Sequence, residues 1–288
     1  MNRDLTIVIP SYKSKKLVLS HLTKFKNKYK TIIIENSYDK SLKKIIKDNY
    51  NNVDIYLKKN IGFGRAINFA SKLVKTKFFF VICPDTKIYK NTIFNLLKAS
   101  KKINKFGMIS PSHIKDINKK NYDLFIEKKQ LNGTCMLFNT STFKKINGFD
   151  KNIFLYYEEN DFFLKCNNLN LKLYLITNSF YNHINSNNKK KKLEIHSSIF
   201  DNIEEKNYSY YIGGWHGQWS KFYYQKKYNG YIKALLYCLP NILKNLIQLI
   251  PVFFLNYSKA KYKYFKIEGF ICSIIGLPSF KRSKFDKK

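Results

Sequence analysis

Short apolar runs and stretches of helical period alternate along the first third of the chain. The segments "LTIVIP" (5–10), "TIIIE" (31–35), "VDIYL" (53–57) and "KFFFVIC" (77–83) are continuous and apolar, the pattern of strands covered on both faces. Between the last two, Phe63, Ala66, Ile67, Ala70, Leu73 and Val74 recur at helical spacing, which predicts an amphipathic helix. Asn60 is placed to cap it. Strand and helix in alternation predict a mainly parallel α/β sheet flanked by helices, and in such sheets ligands bind beyond the carboxyl ends of the strands. That rule selects Ser11 and Tyr12 after the first strand, Glu35, Asn36 and Ser37 after the second, Asn60 after the third and Asp85 after the fourth.

A second block covers residues 131–183. There "GTCMLF" reads as a strand, "STFKKING" as a short helix stopped by Gly148, and "LKLYLI" as another strand. The charged segment between the blocks, residues 113–129, reads as a loop or an edge hairpin. After a lysine-rich hinge at 187–192 the pattern changes. Residues 231–257 are the most apolar part of the chain, yet Lys233, Pro240, Lys244 and Pro251 interrupt them, so a membrane-spanning helix is not expected. Leu235, Leu239, Ile242 and Leu246 predict an amphipathic helix with lysines beside it, suited to an anionic membrane interface. The same stripe also fits a helix packed on the main domain. Two regions follow: residues 1–192 as the α/β domain and 193–288 as a helical extension.

Composition narrows the class. Of 288 residues, 44% are hydrophobic and 17% aromatic, which excludes a disordered chain. The 53 Lys and Arg against 19 Asp and Glu give a formal charge of +34, a balance that favours anionic partners. Nucleic acid is not the expected one, because the aromatic residues follow the apolar segments more than the basic ones. A membrane surface or a nucleoside diphosphate suits the charge equally well. The five cysteines are far apart and form no metal-ligand spacing, so they read as reduced buried thiols. "MNRDLTIVIP" enters a strand with no apolar leader before it, giving the expectation of a cytoplasmic protein.

One stretch resists a purely structural reading. "LYYEENDFFLK" (155–165) places Glu158, Glu159 and Asp161 among aromatic and aliphatic residues. A helix N-terminus accounts for the acids locally, but burying carboxylates costs solvation unless partners, a metal or a shifted pKa compensate.

The ordered set "VIPSY", "IIIENS", "NIGFGRAIN", "FFFVICPDT", "LNGTCMLF", "INGFDKNIFLYYEEND" and "FYNH" resembles glycosyltransferase family 2, most of all its bacterial rhamnosyltransferase-like branch. The resemblance implies a GT-A fold and an inverting transfer of a sugar, rhamnose or another hexose, from a dTDP-, UDP- or GDP-sugar. The implied acceptor is a glycan or lipid-linked glycan of a bacterial surface polysaccharide, met by a peripheral protein on the inner face of the cell membrane. It also implies roles by position. Asp85 of "CPDT" and His183 of "FYNH" would hold Mg²⁺ or Mn²⁺, while Pro10, Ser11, Tyr12, Glu35, Asn36, Asn60, Gly62, Arg65, Pro84 and Asp85 would bind the nucleotide sugar. Glu159 would be the general base, with Glu158 and Asp161 as further candidates. Gly133, Phe149, Asp150 and Tyr157 would face the acceptor, with Phe154 and Tyr156 nearby, and Trp215, His216, Trp219, Lys226 and Lys227 would meet lipid diphosphate or membrane. Two departures stand out: Cys83 replaces a usual Asn or Asp, and Glu159 a usual Asp. Both suit an alternative, a non-catalytic nucleotide-sugar or glycan-binding protein with a degenerate site.

Overall fold

The computed structural model describes residues 2–25, 28–103, 105–117, 123–184 and 203–286; the expected hinge at 187–192 lies outside them. Four parallel strands form one half of a nine-stranded sheet, in the order β3 (Val53–Leu57), β2 (Lys30–Glu35), β1 (Leu5–Ser11) and β4 (Phe78–Ile82). Helices α1 (Lys15–Phe25), α2 (Lys40–Asn49) and α3 (Phe63–Leu73) connect them. The other half is mixed. There β8 (Cys135–Asn139) runs antiparallel to β4 and to β6 (Met108–His113), and β9 (Leu173–His183) runs parallel to β6. The short strands β5 (Thr86–Ile88) and β7 (Phe125–Lys128) pair antiparallel with β9. β7 thus turns the end of the charged 113–129 segment into an edge strand. An apolar run reports burial on two faces but not direction, so β8 and β9 are expected only as strands, and β5 and β6 are not singled out in the sequence.

Side-chain alternation divides the core between the two faces of the sheet. Leu5, Ile7 and Ile9 face α1, α2 and α4 (Thr92–Lys102), whereas Val8, Ile34, Phe79 and Phe138 face α3, α5 (Thr140–Lys145) and α6 (Glu158–Asn168). On the second face Phe138, Phe143, Phe149 and Phe162 form a cluster with ring centroids 4.8–6.1 Å apart. Phe149, expected at the acceptor side, is therefore chiefly a core residue, buried in this ring cluster.

The predicted cap of α3 also differs. Gly62 occupies that position with φ +88°, and Asn60 instead accepts the Gly62 N–H through Oδ1 at 3.3 Å. A Cβ at 62 would overlap the Phe154 carbonyl, so glycine meets both the left-handed backbone and the close approach.

The extension contains α7 (Ile203–Asn229), α8 (Tyr231–Ile247), α9 (Leu249–Leu255) and α10 (Tyr257–Ile274). Trp215, Trp219 and Phe265 pack between α7 and α10, and Phe222, Cys238, Ile242 and Phe270 join α8 to them. Trp215, His216 and Trp219 are buried, so they cannot meet a membrane directly. The buried stripe of α8 is Ala234, Cys238, Ile242 and Asn245, rotated from the expected one, with Ile242 common to both and Leu235 partly buried beside it. Polar ties seat α7 on the α/β domain. Lys227 Nζ bonds Asp150 Oδ2 (2.7 Å) and Asp161 Oδ1, Tyr228 Oη donates to Asp161 Oδ1 (2.8 Å), and Ser220 Oγ donates to the Leu155 carbonyl (2.9 Å).

Candidate active site

The carboxyl edge of the parallel strands carries the residues that the strand-end rule selects. At the end of β1 and β2, Ser11 Oγ donates to Glu35 Oε2 (2.5 Å), and the Ser37 N–H donates to Glu35 Oε1 (2.7 Å), which also receives the Ser37 hydroxyl. Burial raises the Glu35 pKa and these three donors oppose it. Next to this pair lies a 230 Å³ cavity whose wall includes Pro10, Ser11, Tyr12, Asn36, Asn60 and Gly62. Asn36, part of that wall, has a buried Oδ1 with no hydrogen-bond partner among the described residues. Arg65 lies one turn into α3, where its Nε–H donates to the Lys151 carbonyl.

After β4 the chain turns through Cys83, Pro84 and Asp85. Asp85 Oδ2 lies 2.8 Å from His183 Nε2 on the antiparallel β5–β9 pair. The Asp85 bond raises the His183 pKa against the effect of burial. A residue not singled out in the sequence supports this turn: His21 Nε2 is 3.0 Å from the Pro84 carbonyl. Burial lowers the His21 pKa to about 4, so the imidazole is neutral at physiological pH. Nothing in the local pattern around His21 distinguishes it from any other position on the buried face of α1.

The acidic segment approaches from the other side. Tyr156 and Tyr157 both have left-handed backbone, with φ 65° and 69°, a conformation that costs bulky residues on the order of 1–3 kcal/mol each and concentrates at functional sites. Tyr157 caps α6, whose first residues are Glu158 and Glu159. The Glu159 carboxylate lies against the Cα of Gly133, where a Cβ would displace it from its present place. Glu158 is 3% exposed, and its Oε2 has no partner among the described residues. Burial, then the charge of Glu159, holds its pKa well above the ordinary carboxylate range, and burial raises that of Glu159.

Asp161 is placed differently from the two glutamates. It is fully buried; its Oδ1 accepts from Lys227 and Tyr228, while its Oδ2 has only the Lys165 ammonium 3.0 Å away as an ion pair, which makes it part of the tie between α6 and α7. Asp150 shares that tie: burial pushes its pKa up, but Lys227, the Asn152 N–H and Tyr223 hold it below its ordinary value. Cys83 joins the two acid groups. Burial raises its pKa far above the ordinary thiol value, and Asp85, Glu159 and Glu158 are all close enough to raise it further. Burial thus favours the neutral thiol here, whose Sγ lies 3.9 Å from the Gly133 carbonyl.

A family model described as "Glycosyl transferase family 2" matches residues 6–166, more than half of the chain and the stretch from β1 into α6. The chain belongs to glycosyl transferase family 2. The fold is similar to that of GalNAc-T7, solved with UDP, GalNAc and Mn²⁺, with TM-score 0.54 and 12% identity over 62% of this chain and 43% of that one. The chain thus spans less than half of that relative's length. It is also similar to residues 1–349 of TarS from S. aureus, with TM-score 0.50 and 14% identity over 95% of this chain and 92% of that one. No curated protein matches. At these identities the structural likeness concerns the fold, which is GT-A: a mixed sheet flanked by helices, followed here by a helical region.

Proposed function

We propose that this family 2 protein is an inverting glycosyltransferase that uses a nucleoside diphosphate sugar and a lipid-linked glycan acceptor. The observation that carries the reading is the convergence around Cys83 of Asp85, from the end of β4, with Glu158 and Glu159, from the start of α6. In this reading Asp85 serves the diphosphate and the glutamate pair serves the acceptor. Glu159 accepts the proton of the acceptor hydroxyl. The hydroxyl oxygen then bonds to the anomeric carbon from the face opposite the diphosphate, whose C–O bond breaks with its electrons left on the phosphate oxygen, inverting the centre.

Asp85 and His183 offer one carboxylate oxygen and one imidazole nitrogen, and among the described residues no larger cluster of His, Cys, Asp or Glu suits a metal. Two protein ligands fit Mg²⁺ or Mn²⁺ where diphosphate oxygens and water complete the shell, and the imidazole favours Mn²⁺. When bound, such an ion would neutralise charge on the departing diphosphate. The acceptor reading is supported by a 350 Å³ groove lined by Tyr156, Tyr157, Tyr210, Tyr262, Lys221 and Lys266, whose rings suit sugar faces. A rhamnosyl donor rests on the sequence resemblance alone.

The membrane part rests on α8 and α9. No single helix among the described residues is long and apolar enough to cross a membrane; α8 and α9 together reach that length and composition but bend by 43°. Ile247, Ile250, Phe254 and Leu255 are 71–84% exposed, with Lys233 and Lys244 also exposed on α8. An exposed apolar ridge beside lysines suits an anionic lipid surface.

The test is nucleotide release from UDP-, dTDP- and GDP-sugars with membrane lipid extract as acceptor, with Mn²⁺, Mg²⁺ or EDTA. Release from one donor that disappears in Asp85→Asn and Glu159→Gln supports the enzyme. A donor that raises the melting temperature without turnover by the wild type supports the degenerate binding protein instead. Flotation with anionic vesicles tests the ridge: Phe254→Lys with Leu255→Lys is expected to abolish it, and retained flotation would remove the membrane from the proposal.

A further inference from the structure

The segment after α10 returns to the nucleotide-binding edge and is pinned along its way. Trp219 Nε1 donates to the Leu277 carbonyl (2.9 Å), and His216 bonds Ser279 Oγ (2.9 Å) and the Lys281 carbonyl (2.8 Å). Burial lowers the His216 pKa to about 3, so this anchor is neutral at any working pH. The Arg282 guanidinium then lies 3.6 Å over the Phe154 ring, and Lys284 pairs with Glu204. Ser283 joins the wall of the 230 Å³ cavity beside Tyr12 and Asn60. Three residues further, Asp286 Oδ1 accepts from Tyr12 Oη at 2.5 Å and its Oδ2 from Asn60 Nδ2 at 3.4 Å.

This course changes which carboxylate serves the cavity. Glu35 is fully buried and receives three donors from Ser11 and Ser37, and neither Glu35 nor Asp286 is itself part of the cavity wall. The acid that meets two wall residues is Asp286. Its negative charge is incompatible with a phosphate beside it, so it marks the uncharged end of a bound nucleotide. The opposite charge is supplied by the same segment. Arg282 bonds the Ser279 and Lys281 carbonyls (2.9 and 3.0 Å), and burial followed by the nearby Arg65 lowers its pKa to about 10. Two guanidinium groups close enough to repel one another are relieved by a diphosphate between them.

Resting on the nucleotide-sugar reading, we propose that Asp286 is a specificity-determining residue that reads the donor's nucleoside: held by Tyr12 and Asn60, its carboxylate accepts from a ribose hydroxyl or base N–H in the cavity. Arg282 of the same segment faces the phosphates. The nucleotide site is then completed from the far end of the sequence, and its selectivity depends on a residue outside the matched family segment 6–166.

Isothermal titration of the full chain with UDP, dTDP and GDP, and with inorganic pyrophosphate as a nucleoside-free probe, tests this. Asp286→Ala is expected to weaken the preferred nucleotide by about 10-fold, as for one lost hydrogen bond to a charged group, and to leave pyrophosphate binding unchanged. Asp286→Asn, which keeps the shape, should fall between. Unchanged or tighter nucleotide binding in Asp286→Ala would overturn the assignment, the latter identifying the segment as a plug, and so would an equal loss for pyrophosphate. If the wild type binds none of the three nucleotides, the nucleotide-sugar reading itself falls. If it binds one and both variants match it, only the role of Asp286 falls.

Discussion

Glu35 and Glu158 are both buried glutamates, one at the end of β2 and the other at the start of α6, but their surroundings differ. Glu35 exchanges its water for the hydroxyls of Ser11 and Ser37 and a backbone N–H. Glu158 keeps one oxygen without a partner among the described residues and has Glu159 beside it. Carboxylates whose solvation is replaced by fixed donors serve as structure; a pair left without that replacement holds a proton more tightly and releases it at a higher pH than an ordinary carboxylate. Asp161 lies only two residues beyond Glu159, yet it belongs with Glu35, because Lys165, Lys227 and Tyr228 surround it.

The widest separation between the two kinds of acid should appear in catalysis. Glu159→Gln is expected to lower kcat by about 1,000-fold, within the range for loss of a general base, with the fold intact by circular dichroism. Normal turnover in that variant would remove the distinction. The wild-type rate should also rise with pH through the raised pKa of the coupled glutamates, above the ordinary carboxylate range. On the structural side, Lys227→Met strips a shared cation from Asp150 and Asp161. A loss of about 2–3 kcal/mol in urea unfolding is expected, below the 3–5 kcal/mol typical of a broken buried pair, because Lys165 and Tyr228 remain. The depressed Asp150 pKa sets its sign: the contribution is present above the unfolded pKa and disappears as pH falls through the folded one, so wild type and variant should converge in acid.

The same contrast explains how far the sequence could be read. The strand runs 5–10, 31–35, 53–57 and 77–83 lie within a residue of β1 to β4, since strands buried on both faces must be apolar throughout. The acidic segment was visible as charge in an apolar run. Its division into a reactive pair and a structural acid was not, because Lys227 and Tyr228 reach Asp161 from 66 and 67 residues away. The rotation of the α8 stripe is hidden for a related reason: both apolar faces of that helix have helical period, and only packing against α7 and α10 chooses between them. Asp286 on Tyr12 spans 274 residues, so no local pattern could announce it.

The smallest effect is the most diagnostic, because it runs opposite to ordinary core damage. Glu158→Gln keeps the shape of a buried side chain while removing its charge. The neutral amide does not share the loss of stability that a raised folded pKa causes in the wild type as pH rises, so the variant is expected to gain about 1 kcal/mol at pH 8 even though turnover falls. The pH dependence follows from the raised pKa. Below the unfolded-state value both forms of the wild type are protonated, and the penalty vanishes. As pH rises, the unfolded chain releases its proton first and wild-type stability declines until the folded pKa is passed. Glu158→Gln lacks that decline, so the two melting curves should meet in acid and separate in base. A variant less stable than wild type at pH 8 would mean that Glu158 has the donors it is described here as lacking, and would place it with Glu35.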